Sequence, residues 1–113
     1  MFIKKDQTIK QVVPGARGGP GEMIRHDWTP DLPPHVTMLT TIVLEPGSGI
    51  GYHTHDTNTE MIYILEGELE VVDNGQAYTA VPGDMMITGG GQGHSVTNHS
   101  SNPVSMVAVT VSD

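Results

Sequence analysis

The sequence contains no cysteine. Disulfides, thiolate metal sites and cysteine nucleophiles are therefore excluded, and the fold must rest on its core alone. Basic residues are few and confined to one end. Lys4, Lys5, Lys10, Arg17 and Arg25 are the whole set, and no Lys or Arg occurs from His26 to Asp113. That stretch carries 11 of the 13 acids, since only Asp6 and Glu22 precede it, and the net charge is −8. Nucleic acid and anionic lipid both require a basic patch that this chain cannot build, so neither is an expected partner. No apolar run approaches the roughly 18 residues of a membrane span. Behind Lys4 and Lys5 there is no apolar stretch of signal-peptide length, which makes a cytoplasmic location the expectation. The Ala, Glu, Lys and Leu richness of a helical bundle is also missing.

What is present suits one small domain of β-strands. The 113 residues are 36% hydrophobic and 16% charged, too apolar for a disordered chain, and they include 14 Gly and 8 Pro. Residues 1–34 read as an irregular arm with a Pro14–Gly21 hinge and one short strand within Glu22–Thr29, packing on the barrel or on a partner subunit. Residues 35–113 read as the barrel. Strands are expected at about 35–45, 50–55, 59–66, 68–73, 76–81, 84–88, 93–98 and 104–112, the short regular spacing of an all-β sandwich or barrel. Asn74-Gly75 predicts a type I′ hairpin. Glu45-Pro46-Gly47 and Pro82-Gly83-Asp84 mark further turns, and Gly89-Gly90-Gly91 reads as a tight turn. Met61-Ile62-Tyr63-Ile64-Leu65 is apolar at every position, which implies cover on both faces, the outer cover coming from another strand or from a second subunit of a homodimer.

Three of the six histidines combine with one glutamate. His53 and His55 stand at i and i+2, so on a strand both imidazoles project from one face, about 7 Å apart along the backbone. Glu60 is at an odd offset from them and reaches the same side only if the chain bends at Asp56-Thr57-Asn58. His94 is a fourth possible ligand. Three imidazoles and a carboxylate suit a divalent transition metal among Mn, Fe, Co, Ni, Cu and Zn. His26, His35 and His99 have no partner spacing and read as surface or hydrogen-bonded histidines. Trp28 reads as an anchor for the arm, and parity turns Tyr52 and Tyr63 away from the site.

Gly47-x5-His53-x-His55-x4-Glu60-x6-Gly67 resembles the first motif of the cupin family at every fixed position. Gly83-x5-Gly89-x-Gly91-x2-His94-x3-Asn98 resembles the second, with Gly89 where the family usually has proline. The resemblance implies an antiparallel jelly-roll β-barrel holding one divalent ion on His53, His55, Glu60 and His94, with Mn or Fe favoured. Asn98 is implied to be structural. If Glu60 and His94 point inward, Ile62, Ile64 and Val96 line the interior, and Met85, Met86 and Met106 are candidates for its wall. Oxalate-processing cupins similar to this chain use an arginine near the metal; Arg25 is the first choice for that role and Arg17 the second. The expected function is a metal-dependent enzyme on a small organic acid, of decarboxylase or dioxygenase type, with the metal as Lewis acid. The alternative is a cupin module that binds or senses a small molecule without turnover.

Overall fold

The computed structural model describes all 113 residues. Ten strands follow one another: β1 Ile9–Pro14, β2 Glu22–Asp27, β3 Val36–Leu44, β4 Gly49–Thr54, β5 Asn58–Glu66, β6 Leu69–Asp73, β7 Gln76–Ala80, β8 Met85–Thr88, β9 Gly93–Thr97 and β10 Val104–Ser112. They form two antiparallel sheets, of order β1-β2-β3-β10-β5-β8 and β4-β9-β6-β7. The sheets face each other across the core in the jelly-roll manner. No helix is long and apolar enough to cross a membrane.

Alternation explains which strands build the interior. Glu60, Ile62 and Ile64 are buried on β5, Thr40, Ile42 and Leu44 on β3, and Val104, Met106, Ala108 and Thr110 on β10. Each set is spaced by two, the period of one strand face. Leu44, Leu69, Val104 and Met106 are fully buried, and each such side chain contributes about 1.5–3 kcal/mol relative to exposure. The outer positions of β5 are not covered by this chain: Tyr63 and Leu65 are both 41% exposed.

The turns follow their residues. Asn74 (φ 49°) and Gly75 (φ 88°) both lie in the left-handed region between the paired Asp73 and Gln76, as a type I′ turn requires. Pro82-Gly83 closes with the Asp84 amide donating to the Val81 carbonyl at 3.0 Å. The Gly89–Gln92 turn likewise closes with the Gln92 amide donating to the Gly89 carbonyl at 3.1 Å.

The first 34 residues are more regular than their composition suggests. β1 and β2 form a hairpin, and β2 pairs with β3 from Ile24↔Val43 to Asp27↔Thr40, so the large sheet begins at Ile9. Trp28 holds the exit of the hairpin, its Nε1–H donating to Thr41 Oγ1 at 3.0 Å. β1 escapes sequence reading because almost all of it is exposed and it shows no in–out alternation. The Pro14–Gly21 hinge becomes the turn between these strands. It is fastened to β4 by the Gly49 amide, which donates to the Pro20 carbonyl at 2.9 Å.

Candidate metal centre

His53 lies near the end of β4, directly opposite His94 on β9. His55 follows in the segment that leaves the small sheet, and Glu60 lies on β5 of the large sheet. The chain changes sheets between His55 and Asn58, so strand parity restarts there. That is why an odd offset still brings Glu60 face to face with the histidines. Donor atoms of the four residues all lie within 4.8 Å of one another. His94 Nε2 is 3.1 Å from His53 Nε2, 3.2 Å from His55 Nε2 and 3.0 Å from Glu60 Oε1, and His55 Nε2 is 3.5 Å from the same oxygen.

The opposite ring nitrogens explain what those distances mean. His53 Nδ1 donates to the Gly51 carbonyl at 2.7 Å and His55 Nδ1 to Asn58 Oδ1 at 2.6 Å, and His94 Nδ1 shares a hydrogen bond with the Thr88 hydroxyl at 2.8 Å. With the proton on Nδ1, the neutral imidazoles of His53 and His55 turn bare Nε2 lone pairs toward the centre, and His94 does the same when its Nδ1 donates to the Thr88 hydroxyl. Three lone pairs and a carboxylate at such range repel unless protons or a metal ion sit among them. Ligands at about 2.1 Å from one metal ion lie roughly 3.0–3.4 Å apart at tetrahedral or right angles, which matches the observed contacts. The group of three histidines and one glutamate is thus able to bind a metal ion.

Glu60 is held as well as placed. Thr110 Oγ1 donates to its Oε2 at 3.2 Å. Burial alone would raise its pKa, but when the metal-free rings take protons on Nε2 the hydrogen bond from His94, the charges of His94 and His55 and the Thr110 hydroxyl outweigh burial and hold the carboxyl below its ordinary value. His53 is pushed below 6.5, chiefly by burial, against the Gly51 carbonyl that favours its charged form. His94, Arg17 and His55 add charge in the same direction as burial. Both shifts favour the forms that donate electron pairs.

The cluster lines a cavity of about 370 Å³. Of the residues expected to bind substrate, Ile62, Val96 and Arg25 line this cavity. Ile64 and Met86 line a second cavity on the far side of Ile62. Met106 is wholly inside the core, and Met85 lies 53% exposed on the outer face of β8. The methionines at the first cavity are Met23 and Met38, from β2 and β3, which strand counting from Glu60 and His94 does not reach. Arg25 donates from Nη2 and Nε to one oxygen of Asp27, at 3.0 and 3.1 Å. Arg17 lines the cavity too and makes no ion pair. Thr88, Thr110 and the Gly51 carbonyl were not singled out from sequence. Thr110 carries a readable signal, as the one polar position ending the inward row Val104, Met106, Ala108. Asn98, fully buried, donates from Nδ2 to the Leu44 and Asn102 carbonyls at 2.9 and 2.8 Å and accepts from the Ser100 amide and hydroxyl. His99 pairs with Glu70 on the surface, 3.3 Å apart.

The chain is similar to known proteins over nearly its whole length. An "Oxalate-binding protein" of Thermotoga maritima is 28% identical over 113 residues, covering 98% of this chain and 93% of that protein. The crystal structure of a predicted oxalate decarboxylase from Thermotoga maritima superposes with a TM-score of 0.92 at 27% identity, over 100% of both chains. A polyketide cyclase from Streptomyces resistomycificus shares the fold, with a TM-score of 0.79 at 20% identity over 100% of this chain and 80% of the other. The family model described as "Cupin domain" matches residues 40–110. With that match spanning most of its length and both sheets of the barrel, the chain belongs to the cupin family.

Proposed function

We propose that this cupin holds one divalent transition-metal ion, Mn or Fe in preference to Zn, Ni, Co or Cu, on His53, His55, Glu60 and His94, and takes a small organic acid as a further ligand. The observation that carries the reading is the convergence of three Nε2 atoms and Glu60 Oε1, all within 4.8 Å and in contact at 3.0–3.5 Å through four of their pairs, in the lining of an open cavity. An ion bound there supplies Lewis acidity to a carboxylate or carbonyl oxygen. The chain's own residues do the rest. Gly51 and Asn58 fix the tautomers of two imidazoles, Thr88 orients the third, Thr110 orients the carboxylate, and the guanidiniums of Arg17 and Arg25 attract an acid to the cavity. Decarboxylation or oxygenation is the class of reaction such a site serves.

One observation favours the second reading, binding without turnover. Apart from the four clustered residues, the only ionisable side chains lining the cavity are Arg17 and Arg25. Neither is suited to shuttle a proton near neutral pH.

Metal-stripped protein reloaded with Mn or Fe is expected to hold one ion per chain. His94→Ala is expected to lose it while circular dichroism stays that of a β-barrel. Removing a ligand should exceed the roughly 10–100-fold cost of removing a ligand's supporting hydrogen bond. Metal content equal to that of the parent protein would contradict the assignment. Oxygen uptake or carbon dioxide release from small acids then separates an enzyme from a binding module.

A second copy of the chain is also part of this reading, forming a homodimer. The outer face of the large sheet presents Met61, Tyr63 and Leu65 of β5 beside Met85 and Ile87 of β8, and Ile87 is 60% exposed. Six strands at roughly 4.8 Å spacing make that face about 25 Å wide, room for the roughly 800 Å² per partner that a stable dimer buries.

A further inference from the structure

The cavity above the candidate metal centre is built for more than a two-carbon acid. Its volume of about 370 Å³ corresponds to roughly a dozen water molecules at ~30 Å³ each. It falls within the range of about 300–1,000 Å³ that whole organic ligands fill. Eight of its 17 lining residues are hydrophobic. The apolar wall furthest along the chain from the clustered residues comes from the N-terminal hairpin and β3: Val13, Met23 and Met38, all packed against the core. Oxalate has six non-hydrogen atoms and no C–H group, and it would leave that wall wet.

The polar anchor for such a ligand is also built. Arg17 stands in the left-handed region (φ 53°) between two glycines that share it, Gly15 (φ 61°) and Gly18 (φ 78°). A turn that needed only this backbone would take a third glycine, since a bulky side chain there is strained. The strain is held by β4. A Cβ added to Gly51 would lie 2.1 Å from the Arg17 carbonyl, so only glycine lets the turn sit there. The carbonyl of the same Gly51 accepts from His53 Nδ1. One residue of β4 thus fixes both the backbone from which the exposed, unpaired Arg17 side chain reaches the cavity and a clustered imidazole of the same cavity.

Building on the proposed acid ligand, we infer that the acid carries an apolar substituent of several carbons, its carboxylate held by Arg17 and its hydrocarbon laid against Met23 and Met38. Arg17 is the specificity-determining cation rather than Arg25, whose charge Asp27 already meets. The substituent contributes affinity through burial, each methylene being worth roughly fourfold.

The test is calorimetric titration of Mn-loaded protein with pyruvate, 2-oxobutanoate and 4-methyl-2-oxopentanoate. These share one chelating head and differ only in the hydrocarbon. Affinity is expected to rise along the series, with the branched acid at least about tenfold tighter than pyruvate, since three added carbons at roughly fourfold each allow more than that. Met23→Gln should flatten the gradient. Arg17→Gln should weaken all three acids by similar factors, with metal content read in the same samples. Equal binding along the series, or a falling trend, overturns the apolar-substituent inference and leaves the metal–acid reading standing. Equal affinities in Arg17→Gln overturn its role as anchor. If no acid binds the metal-loaded protein, the proposed function fails and this inference with it.

Discussion

Two side chains at the candidate centre couple its chemistry to pH in the same direction. Glu60 titrates below 4.5 in the folded protein, so its stabilising contribution is complete above the ordinary carboxylate value and is lost as pH falls through the lowered one. His53 titrates below 6.5, so folding costs nothing on its account above that pH. Below 6.5 the unfolded chain gains a proton there that the folded chain resists. In both cases the unfolded state binds more protons, and stability rises with pH. Denaturation midpoints of the metal-free protein should therefore fall steadily from about pH 7.5 to about pH 4, with the His53 part removed in His53→Gln. A midpoint that stays level or climbs on acidification would contradict the two shifts. Metal binding should weaken over the same range, since protons compete for the same lone pairs.

Single residues also decide how the strands are joined. Asn98 ends β9 and stitches Leu44 at the end of β3 to the loop at Ser100 and Asn102, with all four of its hydrogen bonds inside the protein. Asn98→Ala strips the Leu44 carbonyl, the Asn102 carbonyl and the Ser100 amide of one partner each. The expected loss is about 2–4 kcal/mol, at roughly 1–3 kcal/mol for the buried Leu44 carbonyl left unsatisfied and less for the more exposed Ser100 and Asn102 groups, which water reaches. Chemical denaturation measures it; a loss under about 0.5 kcal/mol, the level of a surface change, would contradict the role. Its position in the second motif makes this residue legible from sequence, as are the eight strands from β3 to β10, whose ends lie within a residue of expectation. The hairpin of β1 and β2 was legible only as one short strand. Its outer strand has no buried alternating face, and its glycines and prolines obscure a turn that is in fact clipped to β4.

For the molecule as a whole, the same edges and faces that complete the site leave apolar surface uncovered. β8 is an edge strand with Met85 and Ile87 turned outward, next to Tyr63 on β5. A dimer that buries this face predicts twice the 12.1 kDa chain mass in sedimentation equilibrium at micromolar concentration. Ile87→Lys should shift the protein to monomer by placing a charge in the desolvated face. A monomeric parent protein would remove the homodimer proposal, and a dimer insensitive to Ile87→Lys would move the interface elsewhere.

The sequence by itself determined the strand periodicity, the turns at Asn74-Gly75 and Pro82-Gly83, and the identity of the four clustered donors. These are properties of local backbone preference and of fixed spacing. Only the tertiary structure decided what surrounds those donors. Thr88, Thr110 and Asn58 hold them from strands and segments far apart in the chain. Met23, Met38 and Arg17 reach the cavity because the N-terminal hairpin folds back along β3 and its turn closes against β4. Such neighbours arise from which strands pair and which face each side chain takes, and residue spacing carries that information only within a strand.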